Sequence, residues 1–127
     1  MIVVDASAAV LGLLNDGDAR AYLADEPFAC PHLADAEIVH ALRTRVRRGD
    51  VEAADAERAV GAWARLGMYR VPVVGMLDRI WALRDNLSAY DATYVAVAET
   101  LDAPLVTADA RLARAPGPTC PITVVRG

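Results

Sequence analysis

At 127 residues, 55% of them apolar, the chain is sized for a single domain (1–127) with its own core, and it is too apolar for disorder. Its 13 basic residues are all arginine, set against 17 acids for a net charge of −4. That excludes a P-loop, whose lysine reaches the phosphates, and argues against a surface built for indiscriminate polyanion binding.

No apolar stretch nears the ~18 residues of a membrane span. The run from Val71 to Leu77 is broken by Pro72 and Gly75. The first arginine is Arg20, so the N-terminus lacks the basic start of a signal peptide. No membrane partner is expected. Cys30 and Cys120 suit neither a disulfide framework nor zinc spacing and read as buried thiols in a reducing cytoplasm.

Ile2 to Val4 is a short continuous apolar run, the mark of a strand buried on both faces. Helices are predicted over Ala6–Leu14 and Gly17–Ala24, and a strand over Phe28–Cys30 closed by Pro31. From Leu33 to Arg48 a helix follows, with Val39, Leu42 and Val46 at helical spacing and Gly49 placed to end it. Val51–Leu66 is helical, with Ala56, Ala59, Val60 and Trp63 on one stripe. Tyr69–Val74 is strand-like, but Pro72 assigns it to a sheet edge. Helices over Met76–Arg84 and Ser88–Leu101, a strand over Leu105–Thr107, a short helix near Arg111 and a strand over Ile122–Val125 complete the chain. Strands separated by helices imply parallel pairing in a three-layer α/β/α domain, whose sites form beyond the carboxyl ends of the strands.

Four acids fall where that rule directs attention. Asp5 follows the first strand and Asp109 a later one, while Glu37 and Asp91 lie in opening turns of helices. Each has a plain structural reading, as an N-cap (Asp5, Asp109), a capping box (Ser88 with Asp91) or a favourable charge at a helix start (Glu37, like its neighbour Asp35). Four converging carboxylates would repel one another, and such a donor set is matched to a hard cation, Mg²⁺ or Mn²⁺. Receiver domains and haloacid-dehalogenase-like phosphatases also open on a strand ending in aspartate. Both use a lysine, which is absent here, and the latter want an aspartate where Ser7 stands.

The segments "IVVDASA", "LADAEIVHALR", "AYDATYVAVAE" and "LVTADARL" resemble, in this order, the motifs of PIN-domain ribonucleases, most closely VapC-type toxins. The resemblance covers nearly the whole chain. It implies a parallel five-stranded sheet in the order 3-2-1-4-5. It puts Asp5, Glu37 (rather than Asp35), Asp91 and Asp109 in the catalytic, metal-holding role, with no fifth acid where Ala110 and Arg111 follow. It also implies Mg²⁺-dependent endonucleolytic hydrolysis of RNA, with Mn²⁺ as substitute, and a homodimer assembled with a cognate antitoxin protein. The rival readings are a housekeeping RNA-processing nuclease of the same fold and a non-catalytic binding module.

Setting those four acids aside leaves 13 against 13 arginines, so overall acidity is no bar to an RNA substrate. Ser7 and Thr107 are candidates to orient a carboxylate, or equally to satisfy local backbone. Arg43, Arg45, Arg47 and Arg48 are candidate phosphate contacts, though cations are also favourable at a helix end. His32 and His40 read as structural or surface groups, Tyr90 and Tyr94 as packing, and Trp63 and Trp81 as core or interface.

Overall fold

The structure is a computed structural model and describes residues 1–126. Five strands, β1 (Ile2–Val4), β2 (Phe28–Pro31), β3 (Tyr69–Val71), β4 (Leu105–Thr107) and β5 (Ile122–Val124), form one sheet in the order β3-β2-β1-β4-β5. Every pairing is parallel. Among the described residues seven α-helices cover its faces: α1 (Ala6–Leu14), α2 (Asp18–Asp25), α3 (Leu33–Arg48), α4 (Ala53–Arg65), α5 (Leu77–Ala82), α6 (Ala89–Thr100) and α7 (Ala110–Arg114). No helix among the described residues is long and apolar enough to cross a membrane.

The three central strands are buried along their whole length, as their unbroken apolar runs require. The edge strands differ: β3 is mostly exposed and β5 only partly covered. The edge position expected from Pro72 is found, but β3 ends at Val71. Pro72 has no N–H to extend the ladder, and a short 3₁₀ turn (Val74–Met76) leads into α5 instead.

In α3 the buried residues are Ala34, Ile38 and Leu42, which corrects the stripe read from sequence. Val39 is 49% exposed. Ile38 lies one turn before Leu42 and takes the inward position, where truncation to alanine would cost ~2–5 kcal/mol. The helix ends where Gly49 adopts φ 80°, a left-handed conformation that glycine enters without a Cβ penalty.

Gly12 marks a close contact between helices α1 and α2. A Cβ there would lie 2.8 Å from Leu23 Cδ1 and 2.9 Å from the Ala19 carbonyl oxygen, so only glycine lets α1 and α2 approach so closely. Trp63 of α4 is buried, its ring centroid 6.1 Å from that of Phe28. Trp81 is 68% exposed beneath the Arg84 guanidinium and is no part of the core.

The cysteines divide. Cys30 is buried, its Sγ donating to the Val4 carbonyl at 3.1 Å, and burial pushes the thiol up to about 12. Cys120 is only partly covered.

Candidate active site

The parallel sheet fixes the position of each acid. Asp5 directly follows β1, and Asp109 lies two residues beyond β4, so both stand at the carboxyl edge. Helix α3 begins two residues after β2 ends, which brings Glu37 to that edge in its second turn. Helix α6 leads within a few residues into the start of β4; its C-terminus therefore lies at the amino edge and its first turn, with Asp91, at the carboxyl edge. The convergence is electrostatic as well. Asp5 and Asp109 each raise the pKa of Asp91, and Asp91 and Asp5 raise that of Glu37.

Asp5 is the most enclosed of the four, at 5% exposure. Its Oδ1 accepts from the Ala8 backbone N–H at 2.9 Å and from Ser7 Oγ at 2.6 Å, and its Oδ2 accepts from Thr107 Oγ1 at 2.5 Å. Burial pushes its pKa up against these three bonds, with Asp109 adding a smaller like-charge contribution.

The two hydroxyls serve both readings offered from sequence. Ser7 Oγ accepts the Ala108 N–H at 2.9 Å while donating to Asp5. Thr107 Oγ1, fully buried, accepts the Asp109 N–H at 3.0 Å while donating to Asp5. Together they connect the end of β1 to the loop after β4, and with it Asp5 to Asp109.

Glu37 is half-buried and accepts a 2.6 Å hydrogen bond at Oε1 from the phenol of Tyr94. Burial raises its pKa most; the phenol opposes the rise, and Asp91 and Asp5 add to it. Tyr94 is almost wholly buried, and burial together with the Glu37 charge drives its phenol well above the ordinary value. Its spacing from Tyr90 predicts a packing role. It packs, and its hydroxyl also reaches the site from α6, a connection the i, i+4 spacing with Tyr90 gave no sign of. The one available clue was its place one turn after Asp91.

Asp91 is raised chiefly by burial, then by Asp5 and Asp109. Its backbone N–H donates to the Ser88 cap at 3.1 Å, which is one half of the expected capping box. Asp109 differs from the other three. Its carboxylate accepts from the Arg111 guanidinium at 3.2 and 3.3 Å, and that pairing holds its pKa below the ordinary value. Asp5 and Asp109 are also true N-caps, of α1 and α7. Cap and site residue are therefore compatible roles, because helix starts and the reactive edge of a parallel sheet coincide.

The four side chains offer only carboxylate oxygen, which fits a hard divalent cation. Among the described residues no three potential ligands already converge tightly enough to hold an ion.

Of the remaining candidates, Arg43, Arg47 and Arg48 are exposed and Arg45 is partly covered. No ion pair among the described residues uses any of them. His32 and His40 are exposed surface groups. Tyr90 is 61% exposed, contrary to the packing role read from its spacing with Tyr94, because consecutive inward positions on α6 begin only at Ala92.

Comparison with known proteins agrees with the motifs. The PIN domain family model matches residues 2–118. Ribonuclease VapC9 of Mycobacterium tuberculosis is 56% identical over 125 residues, covering 98% of each chain. The crystal structure of PAE2754 from Pyrobaculum aerophilum superposes with a TM-score of 0.70 at 30% identity, covering 89% of this chain and 82% of that one. VapBC2 from Rickettsia felis, solved bound to a DNA fragment from its promoter, has a TM-score of 0.68 over 99% of this chain and 100% of the other. At 13% identity that last likeness speaks to the fold alone. Motifs, sheet order and near-full-length identity converge: the chain belongs to the PIN-domain family and is of its VapC type.

Proposed function

We propose that this protein is an endoribonuclease that hydrolyses RNA phosphodiester bonds with Mg²⁺ (or Mn²⁺), and that it is the toxin of a toxin–antitoxin pair. One observation carries the chemistry: Asp5, Glu37, Asp91 and Asp109 share one sheet edge, and three of them have pKa values pushed up by burial and by one another. Carboxylates held in mutual repulsion constitute a site that a divalent cation would stabilise.

A bound divalent ion supplies an activated water and neutralises charge developing on the phosphate. Asp5 is fixed for ligation by Ser7, Thr107 and the Ala8 N–H, a set of partners that sets the direction of its remaining lone pairs. Glu37 is steadied by Tyr94 and would be the second carboxylate to hold the ion. Asp109 would complete the donor set on giving up its Arg111 partner, and the guanidinium so released would be a cation available to the substrate phosphate. No histidine is needed as base.

The near-full-length identity to VapC9 supports the ribonuclease reading. The cognate antitoxin and the homodimer are inferred from the family resemblance of the motifs. The deciding experiment is incubation with total RNA, with and without Mg²⁺, for wild type and Asp91→Asn. Cleavage should require the metal and be lost in the variant while circular dichroism stays native. Full activity in EDTA overturns the mechanism. Expression alone should arrest growth, and co-expression with the adjacent small gene should restore it and co-purify both chains. A harmless chain overturns the toxin role even if cleavage stands.

A further inference from the structure

We propose that the trough between α1 and α3 is a nucleobase subsite, taking one unpaired base of the RNA beside the phosphodiester that is cut. The inference rests on the reading that this chain cleaves RNA. The trough has a volume of about 630 Å³, within the range of small-ligand sites. It exists because Ala6, Ala36 and Ala41, with Val10, face one another with side chains too short to close it.

Its position selects the occupant. Ser7 and Glu37 line one end, and both belong to the carboxylate centre: Ser7 holds Asp5, and Glu37 is one of the four acids. Of the four depressions described, this one shares lining residues with that centre, whereas the larger one of about 870 Å³ beside α4 contains none of the acids. A phosphodiester at the carboxylates therefore has this concavity next to it.

The rest of the lining suits a base and its phosphate. Tyr90, the residue before Asp91, presents a 61% exposed aromatic ring to the trough. Arg45 closes the far end, about 12 Å along α3 from Glu37 at 1.5 Å per residue, and pairs with no acid among the described residues. An apolar floor, an exposed aromatic face and a guanidinium that pairs with no acid are the elements with which proteins hold single-stranded nucleic acid: stacking for the base, charge for the backbone. Duplex RNA cannot present a base this way, so the subsite restricts cleavage to unpaired segments.

The test uses an oligoribonucleotide with a mapped cut, carrying an abasic ribose at each flanking position in turn, and Mg²⁺. For wild type, one abasic position should lower kcat/KM about ten-fold or more. Tyr90→Ala should lower cleavage of the intact oligonucleotide by a similar factor and no longer distinguish it from the abasic one. Ala41→Trp, which fills the trough, should behave alike, and both variants should keep the wild-type thermal shift with Mg²⁺. Tyr90 is exposed, so its variant carries the test if Ala41→Trp does not fold. Equal cleavage of intact and abasic RNA by wild type, or unchanged discrimination in Tyr90→Ala, overturns the subsite and leaves the nuclease standing. An Ala41→Trp protein that loses its antitoxin but keeps base discrimination assigns the trough to a protein partner and overturns the subsite too. Absence of any cleavage by wild type overturns both proposals.

Discussion

Asp35 and Glu37 stand two residues apart at the start of the same helix, carry the same charge, and do different things. Asp35 accepts from Trp63 Nε1 at 2.8 Å and from Arg70 at 2.9 Å through both Nε and Nη2, so it ties α3 to α4 and to the edge strand β3. The Arg70 guanidinium holds its pKa below the ordinary value. Glu37, turned away from those partners, faces a buried phenol and two further carboxylates, and its pKa is pushed up by burial first and by those charges after. One acid has its counter-charge built in, and the other has only a neutral hydroxyl as its hydrogen-bond partner. The surroundings, supplied by other elements, separate a structural acid from a candidate catalytic one.

The sharpest break of this comparison is in activity. Loss of a metal's outer partners typically costs ~10–100-fold, so loss of a ligand should cost about two orders of magnitude or more. Glu37→Gln should therefore lower Mg²⁺-dependent RNA cleavage by at least that much, measured at saturating substrate, while Asp35→Asn should stay within a few-fold of wild type. Comparable losses in both variants would erase the distinction.

Tyr94→Phe sharpens it from the other side. The ring and its packing remain, and only the bond to Glu37 goes. Mn²⁺ affinity, measured directly by calorimetry, should weaken ~10-fold or more through the disordered ligand. Unchanged affinity would reduce Tyr94 to a core residue.

Stability should show the reverse ranking. Asp35→Asn should cost about 1 kcal/mol in urea unfolding, since the Arg70 pair is partly solvent-screened. Glu37→Gln, assayed in EDTA, should be neutral or slightly stabilising, because it removes a repelled charge. A Glu37→Gln protein clearly less stable than Asp35→Asn would contradict the assignment.

The smallest effect is in pH dependence, where the two acids have opposite signs. Asp35 has a lowered folded pKa, so its contribution is present above the unfolded value of about 4 and is lost as pH falls through the folded one. Glu37 has a raised folded pKa. Its contribution is complete below about pH 4 and is lost as pH rises through the folded value. The stability advantage of Glu37→Gln over wild type in EDTA should thus be present at neutral pH and vanish below about pH 4. The deficit of Asp35→Asn should shrink over the acid range. Parallel pH profiles for the two differences would show that the acids share one environment.

Much of this molecule is legible in the order of its residues. The short buried runs at Ile2–Val4 and Leu105–Thr107, apolar but for Thr107, read as strands covered on both faces, and the helical segments between them favour parallel pairing. Asp5 and Asp109 inherit their place from the strands they follow. Motif order then prefers Glu37 to Asp35, a choice that periodicity by itself does not make. Where the sequence misleads, the cause is local. Val39 and Ile38 are neighbours of similar hydrophobicity, and only packing against the sheet selects Ile38. Tyr90 and Tyr94 are equivalent in spacing, yet one is 61% and the other 2% exposed.

By itself the sequence determines the alternation of strands and helices, the buried centre of the sheet, and the edge at which its acids collect. These follow from hydrophobic period and chain order, which act within an element or between successive ones. Tertiary structure alone decides that Tyr94 meets Glu37 across 57 residues, that Thr107 meets Asp5 across 102, and that Asp35 is claimed by Trp63 and Arg70. Such contacts depend on which strands become neighbours and on how each helix is rotated about its axis. Both are set by burying the whole core at once, a sum over distant side chains that no local stretch of sequence contains.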